Sequence, residues 1–415
     1  MLFNILTGII LNYQFNRSSE NSISAWPATE NYTHLVNAPT GGVAIENTGP
    51  YPQRNFAVFS YSYDPESRPE NAGKAKNLNL DKATFRIKNL RNKNLTISKA
   101  DFQQPALWNL AFTDDQKQAR QLPITVLPGD SVDVNIHFNP APINERVKPV
   151  WRKAAFKLQY WLVRLGRSFN YQPAAGTTCS TIGGQLNLTT NDETDPVKTI
   201  RLGAIWEYRF ENEWEPTLQN ILTVLNLKTK VGFNYFDNGL KGESIIKGSD
   251  EVAADYFEPA NVNMPVSIVK IASYHGCCTT ESADTLAVYF PRQKITQLIQ
   301  YNHQYSGQML LPESFDFKAG KNLINGAGPF ALKIGSGYTD RNKNPGRKIG
   351  IRVWTAIDHN NRVIPDTYIL GADYLGKKGT NYDYQDNVYL LKNVKCYCNE
   401  QIMISDNINV KKPKL

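Results

Sequence analysis

The feature that most constrains this chain is a short alternation of apolar and polar residues, broken again and again by Pro, Gly or Asn turns. Val132-Asp-Val-Asn-Ile-His-Phe138 places Val132, Val134, Ile136 and Phe138 on one face, because successive side chains of an extended chain point to opposite sides. Ala83–Ile87 repeats the pattern with Phe85 and Ile87 inward and Thr84 and Arg86 outward. So do Phe56–Phe59, Leu95–Ile97, Gly184–Thr190 and Thr199–Leu202, and later Val266–Ile271, Thr285–Phe290, Phe330–Ile334, Gly350–Trp354 and Asn387–Leu391. Between them lie turn-forming stretches: Asn89–Asn94, Leu127-Pro-Gly-Asp130, Asn191–Pro196 and Asp358-His-Asn-Asn361, the last expected to carry Asn at positive φ. Short strands at this spacing predict a mainly β chain of tandem immunoglobulin-like antiparallel sandwiches.

At 415 residues the chain has room for two to four domains at ~100–200 residues each. Aromatics at 11%, with 21 Tyr, argue against disorder, which goes with few aromatics and a high net charge. The formal charge of +8 is thinly spread, so no specific nucleic-acid partner is expected. A mean hydropathy of -0.44 argues against a transmembrane segment.

The expected organisation is a strand or arm region over 1–39, a sandwich over 40–206 with an insertion at 141–182, and a short helical connector within 207–250. A second sandwich over 251–400 and a basic tail over 401–415 follow. Glu211–Val231 is the clearest helical candidate, with Pro216 in its first turn and Leu218, Ile221, Leu222 and Leu225 on one face. Inside the insertion, Trp151, Ala154, Leu158, Trp161 and Leu165 recur at helical spacing among basic residues, although Phe156, Leu158, Tyr160 and Leu162 also alternate as a strand would. The apolar run Met1–Leu11 is open to three readings: a first strand, a signal remnant, or an arm that pairs with a neighbouring subunit.

Cys277 and Cys278 are adjacent, and Cys396 and Cys398 are one residue apart; Cys179 stands alone. This spacing fits a zinc knuckle poorly, and one or two disulfides between the two close pairs are the alternative to buried thiols. His275 beside Cys277 is raw material for a nucleophile, but no local protease signature accompanies it. Asp340-Arg-Asn-Lys-Asn344 imitates a calcium loop, yet Arg341, Lys343, Arg347 and Lys348 surround it and a turn is expected. Asp383 and Asp386, with Asp373 nearby in sequence, make the better oxygen cluster, and calcium is the one cofactor worth testing there; otherwise the carboxylates cap turn amides. Trp151 and Trp161, and Tyr301, Tyr305, Tyr382 and Tyr384 at period-two spacing with His303, are the candidate contact residues for a glycan or protein, if they are exposed rather than core.

Two family resemblances join these residues. Phe85–Leu90 through Ser98, Leu127–Pro140 and Gly184–Asp192 resemble choice-of-anchor D modules, immunoglobulin-like sandwiches of the abnormal-spindle/hydin type. The resemblance spans about 40–206 and departs from the pattern in the insertion and in the close at Leu202–Trp206. Glu215–Leu222, Arg352–Trp354, Asp358–Tyr368 and Asn381–Leu390 resemble a C-terminal module of extracellular, mainly bacterial proteins that carry immunoglobulin-like or malectin-like domains. The second resemblance implies a surface or secreted β-protein and supplies no catalytic residues. The expected function is non-enzymatic, in adhesion or self-assembly as a homo-oligomer or filament, or with another surface protein. A carbohydrate-binding protein, an intracellular hydin-like scaffold and a glycan-active enzyme are the alternatives.

Overall fold

A computed structural model of the chain describes residues 42–47, 55–62, 80–146, 179–207, 215–274, 284–291, 295–302, 309–310, 323–324, 328–373, 375 and 380–397. The 1–39 arm, Trp151, Trp161, Cys277, Cys278, His303, Tyr305, Cys398 and the 401–415 tail lie outside the described residues. So does the insertion between 147 and 178.

The first module is built from β1 (Val43–Asn47), β2 (Phe56–Ser62), β3 (Lys82–Asn89), β4 (Leu95–Phe102), β5 (Trp108–Thr113), β6 (Ala119–Arg120), β7 (Ile124–Val126) and β8 (Ser131–Phe138). A short helix α1 (Ala141–Arg146) and the long strands β9 (Cys179–Thr190) and β10 (Val197–Glu207) complete it. One sheet runs β1-β3-β8-β5-β6 and the other β2-β10-β9-β4-β7. All pairings within these two sheets are antiparallel except β2 with β10. The alternation read from the sequence is realised: Phe85, Ile87, Val134, Ile136 and Phe138 are each buried between the sheets. At the centre, the Trp108 ring lies 5.1 Å from Phe59 and 5.3 Å from Phe138, centroid to centroid. Burying each such ring contributes roughly 1.5–3 kcal/mol, and their tilted packing adds to it. On the outer face Arg86 stands opposite Asp133 in register and bonds it at 2.9 Å, with Lys117 on the other carboxylate oxygen at 2.6 Å.

The connector differs from expectation. The helix α2 covers only Leu218–Val224, and residues 208–214 are outside the described set. Thr217 caps it by accepting a hydrogen bond from the Asn220 amide at 3.2 Å, so Pro216 precedes the cap instead of sitting in the first turn. The helix ends where Asn226 turns left-handed at φ 61. Leu225, Leu227 and Val231 are buried as an amphipathic helix would demand, yet the backbone there serves the sheet of the second module instead. Lys228 N–H donates to Ile357 O at 2.9 Å, and the Thr229 hydroxyl both accepts from Ile357 N and donates to Thr355 O. Tertiary hydrogen bonds therefore outcompete helix propagation, which is only weakly favoured per residue.

The second module comprises β11 (Phe257–Pro259), β12 (Val266–Ser273), β13 (Asp284–Phe290), β14 (Ile295–Asn302), β15 (Met309–Leu310), β16 (Leu323–Ile324), β17 (Ala331–Ile334) and β18 (Gly337–Tyr338). Strands β19 (Ile351–Ile357), β20 (Val363–Ala372), β21 (Asn387–Lys392) and β22 (Val394–Cys396) close it. The larger sheet runs β15-β12-β21-β20-β19 with β16 also on β12; the smaller runs β14-β13-β17-β18, and β11 pairs with β22. The β19–β20 turn is as read: Asn361 has φ 59, and Asp358 accepts from the amides of Asn360 and Arg362. Asp340 likewise serves a turn, accepting from Asn342 N at 3.1 Å and from the Tyr256 hydroxyl at 2.5 Å.

The modules share a core. Phe56, Val58 and Ile205 of the first pack with Leu218, Ile221 and Leu222 of α2, and these with Trp354, Ile369 and Leu390 of the second. The close approach depends on Gly203 of β10: a Cβ there would lie 2.5 Å from the Val224 carbonyl of α2. Among the described residues no helix is long and apolar enough to cross a membrane.

Candidate functional site

Strands β20 and β21 are antiparallel neighbours whose ladder ends at Ala372 opposite Asn387. The next residues along the two strands are Asp373 and Asp386, and their carboxylate oxygens come within 4.8 Å of each other. The loop between them folds back and adds Asp383. One carboxylate oxygen from each of Asp373, Asp383 and Asp386 lies within 4.8 Å of the others. Asp373 and Asp383 are buried and Asp386 is half-buried.

The loop is held down by backbone contacts. Gly371 of β20 makes room for it, since a Cβ there would lie 2.5 Å from the Tyr384 carbonyl. Asp373 accepts from the Tyr382 amide, and the Asp386 carbonyl accepts from Tyr274 N at 3.1 Å at the end of β12. Both Tyr382 (φ 64) and Tyr384 (φ 58) are left-handed, which bulky residues adopt rarely. The period-two expectation for these tyrosines therefore fails, because the segment is no strand. Tyr384 is fully buried, its hydroxyl donating to Ile349 O at 2.9 Å with the Arg352 guanidinium 4.7 Å from its ring. It is a core residue and is withdrawn as a contact candidate. Tyr382 is half-buried and takes a hydrogen bond from Lys348 Nζ at 3.2 Å.

The Asp383 carboxylate meets neutral donors: Asn381 Nδ2 at 2.6 Å, Gln385 Nε2 at 3.3 Å and the Gln385 amide at 3.5 Å. Burial first, and the nearby Asp373 carboxylate second, push its pKa up. Gln385 Nε2 also donates to Glu215 Oε2 at 2.8 Å, joining the start of the connector to the cluster. The other carboxamide atom, Gln385 Oε1, is buried with no hydrogen-bond partner among the described residues. Arg352, buried in the same module, bonds Glu251 at 2.6 Å and Asp237 at 2.8 Å, holding the 231–251 strap against the sheet.

A second acidic feature lies at the module junction. Glu207, the last residue of β10, is buried opposite Cys179, and neither of its carboxylate oxygens has a hydrogen-bond partner among the described residues. Burial, then the charge of Glu215, push its pKa well above the usual carboxylate value. Burial also raises the Cys179 thiol, which is unreactive in that state.

Of the sequence-predicted residues, the structure brings Asp373, Asp383 and Asp386 together. Tyr301 lies on β14, away from the cluster in the other sheet, and Cys396 lies on β22 opposite Phe257, beside the Tyr368 hydroxyl. Since Cys277, Cys278 and Cys398 fall outside the described residues, the disulfide expectation has no bearing here. Glu215, Gln385 and Glu207 were missed as site residues. Gln385 sits at alternate spacing with Asn381 and Asp383, a signal available in the sequence, whereas nothing local marks Glu207 or Glu215.

No protein-family model matches the chain, and no curated protein does. Among solved structures, a protein of unknown function from Porphyromonas gingivalis W83 is 17% identical over 42% of this chain, with a TM-score of 0.20. This chain spans 50% of that protein's length. The ASH/PapD-like domain 7 of human CEP192 is 11% identical, covering 43% of this chain and 93% of that one, with a TM-score of 0.18. The periplasmic chaperone SfaE is 6% identical, covering 80% of this chain and 100% of that one, with a TM-score of 0.21. At such scores none of them transfers a function. What stands on this chain's own coordinates is a mainly β fold of antiparallel sheets.

Proposed function

We propose that this is a non-enzymatic structural protein of a cell surface or extracellular assembly, in which the two sandwiches act as one rigid unit. Its outer faces and sheet edges meet copies of itself or another surface protein. The observation that carries this reading is the continuous core running from β2 and β10 through α2 into the larger sheet of the second module. Modules joined by a flexible linker reorient freely, whereas an apolar shared core fixes their spacing, which is what a repeating assembly requires. Among the described residues no strand pairs with the outer edge of β1, which offers backbone groups for strand addition, and the apolar run at the N-terminus is the segment suited to supply a strand.

Electron microscopy and small-angle scattering of the full chain test the proposal. Oligomers or filaments are expected, and deleting residues 1–15 abolishes them while both sandwiches stay folded. Gly203→Val, which wedges α2 off β10, increases the radius of gyration and also weakens assembly. Monomers at every concentration, or turnover on a glycan or peptide panel, overturn the reading.

A further inference from the structure

We infer that the groove between β9, β10 and the end of α2 binds a single sugar-acid ring, a hexuronate whose carboxylate is taken by Arg201. This goes beyond the structural role proposed above and does not depend on it. On β10, Ile200, Leu202, Ala204 and Trp206 fill the first sandwich, so Arg201, Gly203 and Ile205 face outward toward α2. Their register partners on β9, namely Gln185, Gly183 and Thr181, share that outer face. The helix stands on Gly203, and its last residues, Thr223 and Val224, with Asn226 beyond them, wall a groove of about 250 Å³. Gly183 lies across the strand pair from Gly203 and lines the same groove, but there a Cβ would meet no atom within 4 Å among the described residues. Its φ is outside the left-handed region, so the backbone does not demand glycine either. A glycine inside a strand weakens it, and often marks the place where another group approaches the backbone closely. For Gly203 that group is α2; for Gly183 the described chain supplies none.

The lining sets the chemistry of the ligand. Arg201 is half-buried, and its guanidinium has no partner among the described residues. No carboxylate lines the groove among those residues. Asp101, opposite Asn187 on the same face, is already paired with Lys99 at 2.7 Å. One guanidinium without an acid selects an anion, and its planar fork matches a carboxylate. The other polar groups, Thr181, Gln185, Thr223 and Asn226, are neutral. Gln185 spends its Nε2 on Asn187 at 3.1 Å and Thr223 its hydroxyl proton on Gln219 O at 2.8 Å, which leaves an acceptor oxygen on each. Neutral groups spread around a floor without side chains suit the hydroxyls that radiate from a sugar ring. An acidic side chain of a protein would bring the carboxylate alone and leave those groups unused. Both β9 and β10 are paired on either side, so the ligand lies on the sheet face and does not add as a strand.

The test titrates the full chain with sodium glucuronate, glucose and sodium glutamate by calorimetry, with thermal unfolding of each variant followed in parallel. Glucuronate should bind once per chain with a Kd of about 10⁻³ M or tighter, a strength within reach of a ligand this small. Glucose, which lacks the carboxylate, and glutamate, which lacks the ring, should each bind at least about tenfold more weakly. Arg201→Gln should bring glucuronate down to the level of glucose. Gly183→Val should abolish binding by filling the groove, yet melt at or above the wild-type temperature, because valine favours a strand and its side chain meets open space. No glucuronate binding in the wild type, or binding that survives Gly183→Val or Arg201→Gln, would overturn the site. Glutamate binding as tightly as glucuronate would overturn the sugar assignment in favour of an acidic side chain from a protein. Gly183→Val melting below the wild type would give that glycine a structural reason and remove the argument built on it.

Discussion

In the first sandwich the interior is filled by Phe59, Trp108, Phe138 and the aliphatic residues of alternating strands; Arg86 and Lys117 meet Asp133 at the outer face, and one buried pair, Lys198 with Asp192 at 2.8 Å, lies at the β9–β10 turn. In the second, Arg352, Asp237, Glu251, Asp373, Asp383 and Lys392 are all buried. The difference follows from how each module is covered. Sheet packs on sheet in the first, so alternation alone sorts residues into apolar inside and polar outside. In the second, irregular straps over 231–251 and 380–386 lie across the sheet. A strap cannot satisfy its own backbone as a strand pair does, and buried polar side chains take over that role. Asp237 accepts from the amides of Lys241 and Gly242, and Glu251 from that of Ile246. Buried charge is thus the means by which loops are fastened, and it also gathers three carboxylates at one end of β20.

The contrast is open to direct attack. The largest effect is expected at Arg352: Arg352→Met strands two carboxylates in the core and should cost about 3–5 kcal/mol in urea unfolding. A loss below ~1 kcal/mol would mean that the strap does not depend on the triad. Next comes Lys392, whose ammonium burial depresses its pKa to about 7. Between pH 7 and the unfolded value of 10.5 the unfolded chain holds a proton that the folded chain lacks, so stability rises with pH across that window. Lys392→Met should therefore stabilise by on the order of 2–4 kcal/mol below pH 7, an advantage that shrinks toward pH 10.5. An advantage independent of pH would remove the charge from the explanation. The smallest effect belongs to the first module. Arg86 is 40% exposed and Lys117 still faces Asp133 when it is gone, so Arg86→Met should cost about 1 kcal/mol or less. Its partner Asp133 has a pKa below the usual 3.8, so the pair's contribution is present above pH 3.8 and is lost as pH falls through the lower folded value. Equal losses at Arg86 and Arg352 would erase the distinction between the modules.

The strands were legible wherever alternation is strict, as in β3, β8 and β13. β5 was passed over although Trp108, Leu110 and Phe112 alternate, and the connector was overextended because buried Leu225, Leu227 and Val231 mimic a helical face. Of the candidate site, the three aspartates were readable as an oxygen cluster because two share a turn-rich loop with Asn381 and Gln385. Tyr384 was misjudged for a related reason: period-two spacing places residues on one face only if the backbone is extended, and here it is left-handed at both tyrosines.

By itself the sequence determined the β class and the identity of the acidic residues, since each is written in local periodicity or composition. Only the tertiary structure decided that Asp373 meets Asp383 and Asp386, that Glu207 is buried at the junction, and that one core spans both modules. Those facts depend on register and on which surfaces meet, and both are set by contacts between residues far apart in the chain.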